Sequence, residues 1–453
     1  MQKALRLLPW LPALLVVAVY LPALPASFQF DDWQVVMGDP RVASLSAWWN
    51  AMPGMRALTK LSFALNHEAG GGVAAFRAVN VLLHALNSTL VFLLARRLAR
   101  LLRSADGQGA LIVAATTTLI FALHPVQTES VTYVVARSNV LAGSFCLLSL
   151  LAWLRGREPG AGWWWMLLVA LLYVAALASK ETAAVLPLAM LLCLGAERAP
   201  PRRQLVVPLA LCALGVVLFV LAWPHLPYDY LLHTSLNVRS PLENLAVQAQ
   251  GVAWLAGQLL LWGRLNADPM LLPQDVFSPQ ALGQGALLLV LLVTGLAGLR
   301  RWPALAFSLL WFFLWLAPTN SFVARLDIAN DRQLYLAIIG PAWLLGHGIA
   351  RLRLPAWMTL VPLAMLLCLG TAIRNGVYAT ERTFWQDVTA KSPHNARAWN
   401  NLGMAEAIAC QPDAARDSFL EASRLDPLFV QPQINLVLLE RGQLPGVPAS
   451  CLK

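Results

Sequence analysis

Long apolar runs separated by short basic clusters cover most of this chain, and the pattern breaks only after residue 380. A bilayer crossing takes about 20 apolar residues. Runs near 7–26, 78–100, 109–124, 131–154, 163–179, 182–196, 204–223, 281–299, 303–319, 334–350 and 355–373 therefore predict eleven transmembrane helices. One more run, 245–263, carries Gln248, Gln250 and Gln258 and predicts an interfacial or re-entrant helix. Counting it as a crossing would move Arg300 and Arg301 to the opposite face. Cytoplasmic loops are rich in Lys and Arg. The clusters at 96–103, 155–158, 197–203, 300–302 and 351–353 share one side under this count. The N-terminus, with Lys3 and Arg6, is then expected in the cytoplasm and the C-terminus outside. The first run reads as a signal anchor, because many spans follow it.

This orientation gathers the polar segments 27–75, 124–130, 179–182, 224–280 and 319–333 on the outer face. Composition agrees with a multi-spanning protein: 58% of the 453 residues are hydrophobic and 12% charged, against about 25% charged in ordinary soluble domains. The net charge of +10 resides in short clusters between apolar runs, which argues against a nucleic-acid partner. Six cysteines show no zinc spacing. Cys146, Cys193, Cys212 and Cys368 lie in apolar runs and read as small core residues. Cys410 and Cys451 lie in the polar tail, where an oxidising compartment would allow a disulfide.

The outer segments carry the candidate chemistry. "ASFQFDDW" places Asp31 and Asp32 side by side among aromatic residues where the first span ends. Adjacent carboxylates shift each other's pKa and can divide the work of base and partner. "RALTKLSFALNHEAGGG" predicts an amphipathic surface helix with Arg56 and Lys60 on one face, set to snorkel or to grip a phosphate. In the second span Asn80, His84 and Asn87 form a stripe expected to hydrogen-bond neighbouring helices. "FALHPVQTESVTYVVARSN" brings His124, Glu129 and Arg137 into a turn, with an ion pair between Glu129 and Arg137 or another basic group as the plain alternative to a substrate role. Lys180 and Glu181 occupy a tight hairpin, and Arg325, Asp327, Asp331 and Arg332 complete the set. Carboxylates with Arg and Lys at one membrane face suit an anionic lipid substrate. A transporter would instead keep its ionisable groups near the midplane.

Residues 380–453 shift to a soluble composition. Trp399, Leu402, Gly403, Ala415, Phe419, Ala422 and Pro427 stand at the spacing of a tetratricopeptide repeat, and Trp385 and Pro393 precede Phe419 and Pro427 by one repeat length. Gly403 and Ala415 are expected to let two helices approach, with Trp399 and Phe419 filling the space between them. So short an array predicts a tail that leans on the membrane domain, as a cap or as a docking surface for an acceptor.

"FQFDDW", "RALTKLSFALN", "AVNVLLHALN", "FALHPVQTESVTYVVARSNVL", "ASKETAAVLPL", "NDRQLYLAIIG" and the tail, in that order, resemble bacterial relatives of the transmembrane and tetratricopeptide-repeat containing O-mannosyltransferases, polytopic glycosyltransferases of the GT-C superfamily. The resemblance implies an all-α polytopic membrane protein of GT-C type. Its transmembrane domain is 1–379, with 27–75 as the first outer catalytic loop, and 380–453 is a short periplasmic helical tail. It implies transfer of a sugar from a polyprenyl-phosphate-linked donor to an acceptor, a protein hydroxyl rather than a glycan or lipid, on the periplasmic side of a bacterial inner membrane. Asp31 or Asp32 would be the base, with Asp31 favoured. Lys180, Arg332, Arg137 and Arg56 would hold the carrier phosphate, and Glu129, His124, Glu181 and Asp331 would lie near substrate or metal. A divalent cation, Mg2+ or Mn2+, is left open, because Gln127 stands where relatives carry His. Ala57 and Arg77 also depart from the family pattern. A non-catalytic scaffold or transporter with a docking tail is the alternative class.

Overall fold

The computed structural model describes residues 10–52, 54–102, 105, 107–197, 200–260, 262–271, 275–321, 324–325, 327–352 and 354–451. Lys3, Arg6, Arg103, Arg198 and Arg353 of the basic flanks lie outside the described residues. Every regular element among the described residues is helical. Five helices are long and apolar enough to cross a membrane: Val73–Leu101, Val134–Gly156, Arg202–His225, Pro279–Gly298 and Ala356–Val377. Two bent pairs raise the number to seven if each is one span: Gly107–Leu123 with Pro125–Val131, bent by 47°, and Asp331–Ala337 with Ile339–Arg351, bent by 55°. Four of the predicted runs form shorter apolar helices: Leu11–Ala23, Trp164–Ser179, Glu181–Ala196 and Pro303–Leu316. Pro125 accounts for the first bend, since its ring removes a donor from the helix ladder.

The Val73–Leu101 helix packs against Leu11–Tyr20, Gly107–Leu123 and Arg137–Gly156. Its polar stripe does what the spacing predicts. His84 reaches Tyr335 Oη through Nδ1 at 3.0 Å and Ala122 O through Nε2 at 3.0 Å, while Asn87 Nδ2 donates to Tyr335 Oη at 2.8 Å. Elsewhere a missing side chain sets the spacing: a Cβ on Gly340 would stand 2.4 Å from Ser308 O, so only glycine lets these two helices meet. The run around 245–263 forms the Pro241–Gln258 helix, which begins in a Ser240–Glu243 capping box. Its buried polar side meets the 319–328 segment, where Asn320 Nδ2 donates to Gln248 Oε1 at 2.7 Å and Asn244 Nδ2 to Ser321 O at 2.6 Å.

In the tail, Glu381–Lys391, Ala396–Ile408, Pro412–Leu425 and Val430–Glu440 pack in succession. Gly403 lets Phe419 in as expected, since a Cβ there would meet the ring at 2.7 Å. Trp399 departs from expectation: it packs against the buried cluster that holds Phe384, Trp385 and Leu402, whereas Phe419 belongs to a separate one. Cys410 and Cys451 form a disulfide with Cα atoms 4.4 Å apart. The tail does lean on the membrane domain. Phe384, Trp385, Val388, Ala398 and Leu402 share one buried cluster with Tyr133, Ala136 and Tyr378. Arg374 Nη1 bonds Asp387 Oδ2 at 2.7 Å, and Lys391 Nζ donates to Leu265 O at 2.7 Å.

Candidate active site

Two loops meet where the first apolar helix, Leu11–Ala23, ends, and buried arginine holds them. Arg77 is fully enclosed. It donates through Nε to Thr132 O at 2.8 Å, through Nη1 to Ala23, Leu24 and Ala26 carbonyls at 3.1, 3.0 and 2.5 Å, and through Nη2 to Ser27 O at 2.8 Å. Apart from Ala23 O, which also accepts from Ala26 N, these carbonyls stand where the chain leaves its helices, and the guanidinium fork satisfies them. Asn80 does the same for the turn opposite, donating to Val131 O at 3.2 Å.

Asp31 and Asp32, adjacent in sequence, are put to different uses. Asp32 is completely buried. Its Oδ1 accepts from Val135 N at 2.8 Å, and its Oδ2 from Gln29 N at 3.1 Å and Val134 N at 3.4 Å. Burial pushes its carboxyl up to about 7, against the pull of the amides and of Arg77. Asp32 thus staples the 27–33 loop to the 131–135 turn. Asp31 remains half-buried. Its amide donates to Tyr133 Oη at 3.1 Å, and the same hydroxyl serves its carboxylate. Burial raises the Asp31 pKa. Arg332, Tyr133 and Arg397 lower it and Asp327 adds to the rise.

The cations divide in the same way. Lys180 and Arg332 line one narrow cleft together with Asn139, Thr319 and Gln333. Lys180 Nζ donates to Asn139 Oδ1. Burial and the neighbouring Arg56, Arg325 and Arg332 hold its pKa well below the usual lysine range, with Glu181 opposing. Arg332 is oriented by Glu129, whose carboxylate accepts from its Nη1 at 3.0 Å and from its backbone N at 3.0 Å. Glu129 therefore pairs with Arg332 and not with Arg137. Arg56 adopts a left-handed backbone (φ 55) and pairs with Glu181, Nε to Oε2 at 3.0 Å, at the edge of the same charge cluster.

Three predicted site residues do other work. Arg137 is fully buried, bonded to Asn80 Oδ1 at 2.8 Å, Ser62 O at 3.0 Å, Asn66 Oδ1 at 2.7 Å and Phe76 O at 2.7 Å. It rivets the surface helix Ala57–Glu68 to the Val73–Leu101 helix. His124 caps its own turn, accepting from Val126 N at 3.2 Å, and meets Trp262 Nε1 at 2.9 Å and Leu259 O at 3.1 Å, so it braces the turn. Asp331 is buried behind the cleft, 4.0 Å from Arg374. Among the described residues no three His, Cys, Asp or Glu side chains group as metal ligands.

Sequence reading missed Tyr133, Asn139 and Arg397. The first two stand inside the "ESVTYVVARSN" stretch already singled out. Arg397 sits in the tail, on an amphipathic helix where an arginine signals nothing. Leu314, Leu316, Ala317 and Asn320, adjoining cleft residues Trp315 and Thr319, line a separate apolar groove of about 1700 Å³ with Leu188, Leu292 and Phe313.

Over most of its length the chain is homologous to protein O-mannosyl-transferases. It is 25% identical to protein O-mannosyl-transferase TMTC3 of Mus musculus over 457 residues, 90% of this chain and 47% of that protein. With F38B6.6 of Caenorhabditis elegans it shares 22% identity over 452 residues, 92% of this chain and 62% of that protein. Tmtc2 of Drosophila melanogaster is 34% identical over 191 residues, 37% of this chain and 19% of that protein. The chain thus spans less than two thirds of the length of each of these relatives. No family model and no solved structure matches it.

Proposed function

We propose that this chain is a membrane glycosyltransferase that moves a sugar from a polyprenyl-phosphate-linked donor to a protein hydroxyl. The observation that carries the reading is the pairing of a half-exposed acid with a buried cation cleft: Asp31 lies within electrostatic reach of Arg332, which lines the cleft with Lys180. Asp31 takes the proton of the acceptor hydroxyl as its oxygen attacks the anomeric carbon. The bond from that carbon to the carrier phosphate breaks, and the phosphate leaves with an added negative charge. Lys180 and Arg332 stabilise that charge as it forms, with Arg56 contributing from the rim; preorganised cations at a developing anion are the largest catalytic term in such sites. Attack from the face opposite the leaving group inverts the anomeric carbon. The apolar groove beside the cleft suits the hydrocarbon of a lipid carrier.

The same reading places the site and the tail on the periplasmic side of a bacterial inner membrane. The Cys410–Cys451 disulfide supports that side, since disulfides persist in oxidising compartments. The tail is read as a tetratricopeptide-like array, and a protein acceptor is favoured by what the homologous enzymes are named for. The test is direct: full-length chain in lipid nanodiscs, a labelled polyprenyl-phosphate sugar, and Ser- and Thr-rich peptides. Label is expected on the peptide hydroxyl. Label released to glycan or lipid alone would overturn the protein acceptor, and no transfer from any of a panel of lipid-linked sugars would overturn the reaction.

A further inference from the structure

Phe30, the residue before Asp31, has φ 44, a left-handed conformation costly for a bulky aromatic side chain. Such a conformation persists only where the surroundings over-determine it, and the surroundings here are supplied largely by the tail. The Trp385 ring stands edge-on to Phe30 with centroids 5.3 Å apart, and the Arg397 guanidinium lies over the same ring at 5.6 Å. Glu381 faces the Phe30 amide and the Trp33 side chain. Just before the tail, Ala379 O accepts from Ser27 N at 3.1 Å and Tyr378 O from Gln29 Nε2 at 3.1 Å.

Arg397 also ties this loop to two others. Its Nη2 bonds Asp327 Oδ1 at 3.0 Å and its Nε bonds Asp268 Oδ2 at 3.0 Å, with a second Nη2 contact to Asp268 Oδ1. Asn395 Nδ2 reinforces Asp268 at 3.0 Å. One planar fork thus joins the 264–270 loop, the segment leading to Arg332, and the Phe30 ring. A forked guanidinium can hold two carboxylates in fixed geometry where an ammonium cannot.

We propose that the helical tail backs the loop that carries Asp31 and that Arg397, clasping Asp268 and Asp327 over Phe30, is a positioning residue that sets the place of Asp31. The inference rests on the reading of Asp31 as the base. It gives the tail a part in the chemistry itself, beyond any part in binding an acceptor.

The charged and titratable groups facing Asp31 are Arg332, Tyr133, Asp327 and Arg397, so the clasp is also read by the pH dependence of the rate. The experiment uses full-length enzyme in nanodiscs and measures kcat, the KM for the lipid-linked sugar and the acidic limb of the pH–rate profile. In Arg397→Gln, kcat is expected to fall about 10- to 100-fold, as for a misplaced reacting group, with donor KM within about twofold and the acidic limb moved up. Asp327→Asn opens the clasp from its other side, so kcat falls likewise, but the acidic limb moves down because a like charge near Asp31 is gone. Arg397→Lys restores the limb without restoring kcat.

A lowered thermal stability with kcat per folded molecule and both limbs unchanged would overturn the proposal, as would shifts of the two limbs in the same direction. If Arg397→Gln does not fold, Asp327→Asn decides alone: an unmoved limb overturns the clasp. Failure of the underlying reading looks different, since Asp31→Asn would then remain active. An inactive Asp31→Asn beside an unaffected Arg397→Gln overturns only the clasp.

Discussion

Replacing each of the two adjacent acids by its amide separates the roles that geometry assigns them. In Asp31→Asn the side chain keeps its shape and loses its capacity to take a proton. General-base catalysis contributes about 10²- to 10⁴-fold, which at about 1.4 kcal/mol per decade corresponds to about 3–5 kcal/mol of activation free energy. Stability should hardly change, because the hydrogen bond from the Asp31 amide to Tyr133 Oη involves backbone and survives the substitution. In Asp32→Asn the remaining oxygen can still accept from Val135 N, but the new amino group faces Gln29 N and Val134 N, both now without an acceptor. A buried donor left unsatisfied costs about 1–3 kcal/mol, so the loss of stability is about 2–6 kcal/mol for the pair. Label transfer per folded molecule, with thermal unfolding followed by tryptophan fluorescence, measures both quantities. Asp31→Asn should be stable and nearly inactive, and Asp32→Asn should be unstable yet retain turnover in the folded fraction. An Asp31→Asn enzyme within tenfold of the parent, or an Asp32→Asn enzyme of unchanged stability, would refute the assignment.

The rate should rise with pH through the Asp31 pKa, since only the carboxylate accepts a proton; that acidic limb should lie above pH 3.8, the ordinary Asp value, and vanish in Asp31→Asn. At high pH the opposite sign applies to Lys180: its charge is lost as pH climbs through a pKa well below 10.5, so donor KM should increase earlier than for an ordinary lysine, and Lys180→Arg should remove that increase. Arg332→Ala leaves buried Glu129 without its partner, and a broken buried pair costs about 3–5 kcal/mol, so both stability and transfer should drop, whereas Lys180→Met should impair transfer with little loss of stability. Replacing Cys410 and Cys451 by Ser opens a link across 41 residues, worth about 4 kcal/mol by chain-entropy reasoning, and should speed limited proteolysis of the tail.

Apolar runs of the right length are a strong signal, and each predicted run coincides with an apolar helix. Polar residues at the ends of such runs are equally visible, so Asp31, Lys180 and Arg332 stand out from the amino-acid pattern alone. Their uses cannot be told apart in that pattern, because they depend on partners far along the chain. Arg137 and Arg332 look alike in sequence. One is spent on Ser62, Asn66 and Phe76, more than 60 residues away, and the other on Glu129 beside an open cleft. Local pattern carries no information on which distant carbonyl will lack a donor, and that lack decides where an arginine is buried.

The division of labour among the arginines bears on how the reacting groups are held. Arg77 and Arg137 offer no donor to the cleft, since both are enclosed and bonded to neutral acceptors. They allow irregular backbone to persist beside a membrane span, where unsatisfied carbonyls would otherwise be expensive. With Arg77 and Asp32 anchoring the 23–33 stretch on one side and the tail holding Phe30 on the other, Asp31 sits on a loop fixed from both directions. A base fixed in this way needs no reorganisation when the acceptor arrives, which is the condition under which proximity and electrostatic stabilisation act at full strength. It also follows that substitutions in Arg77 or Trp385, neither of which lines the cleft, should lower kcat more than they raise the donor KM.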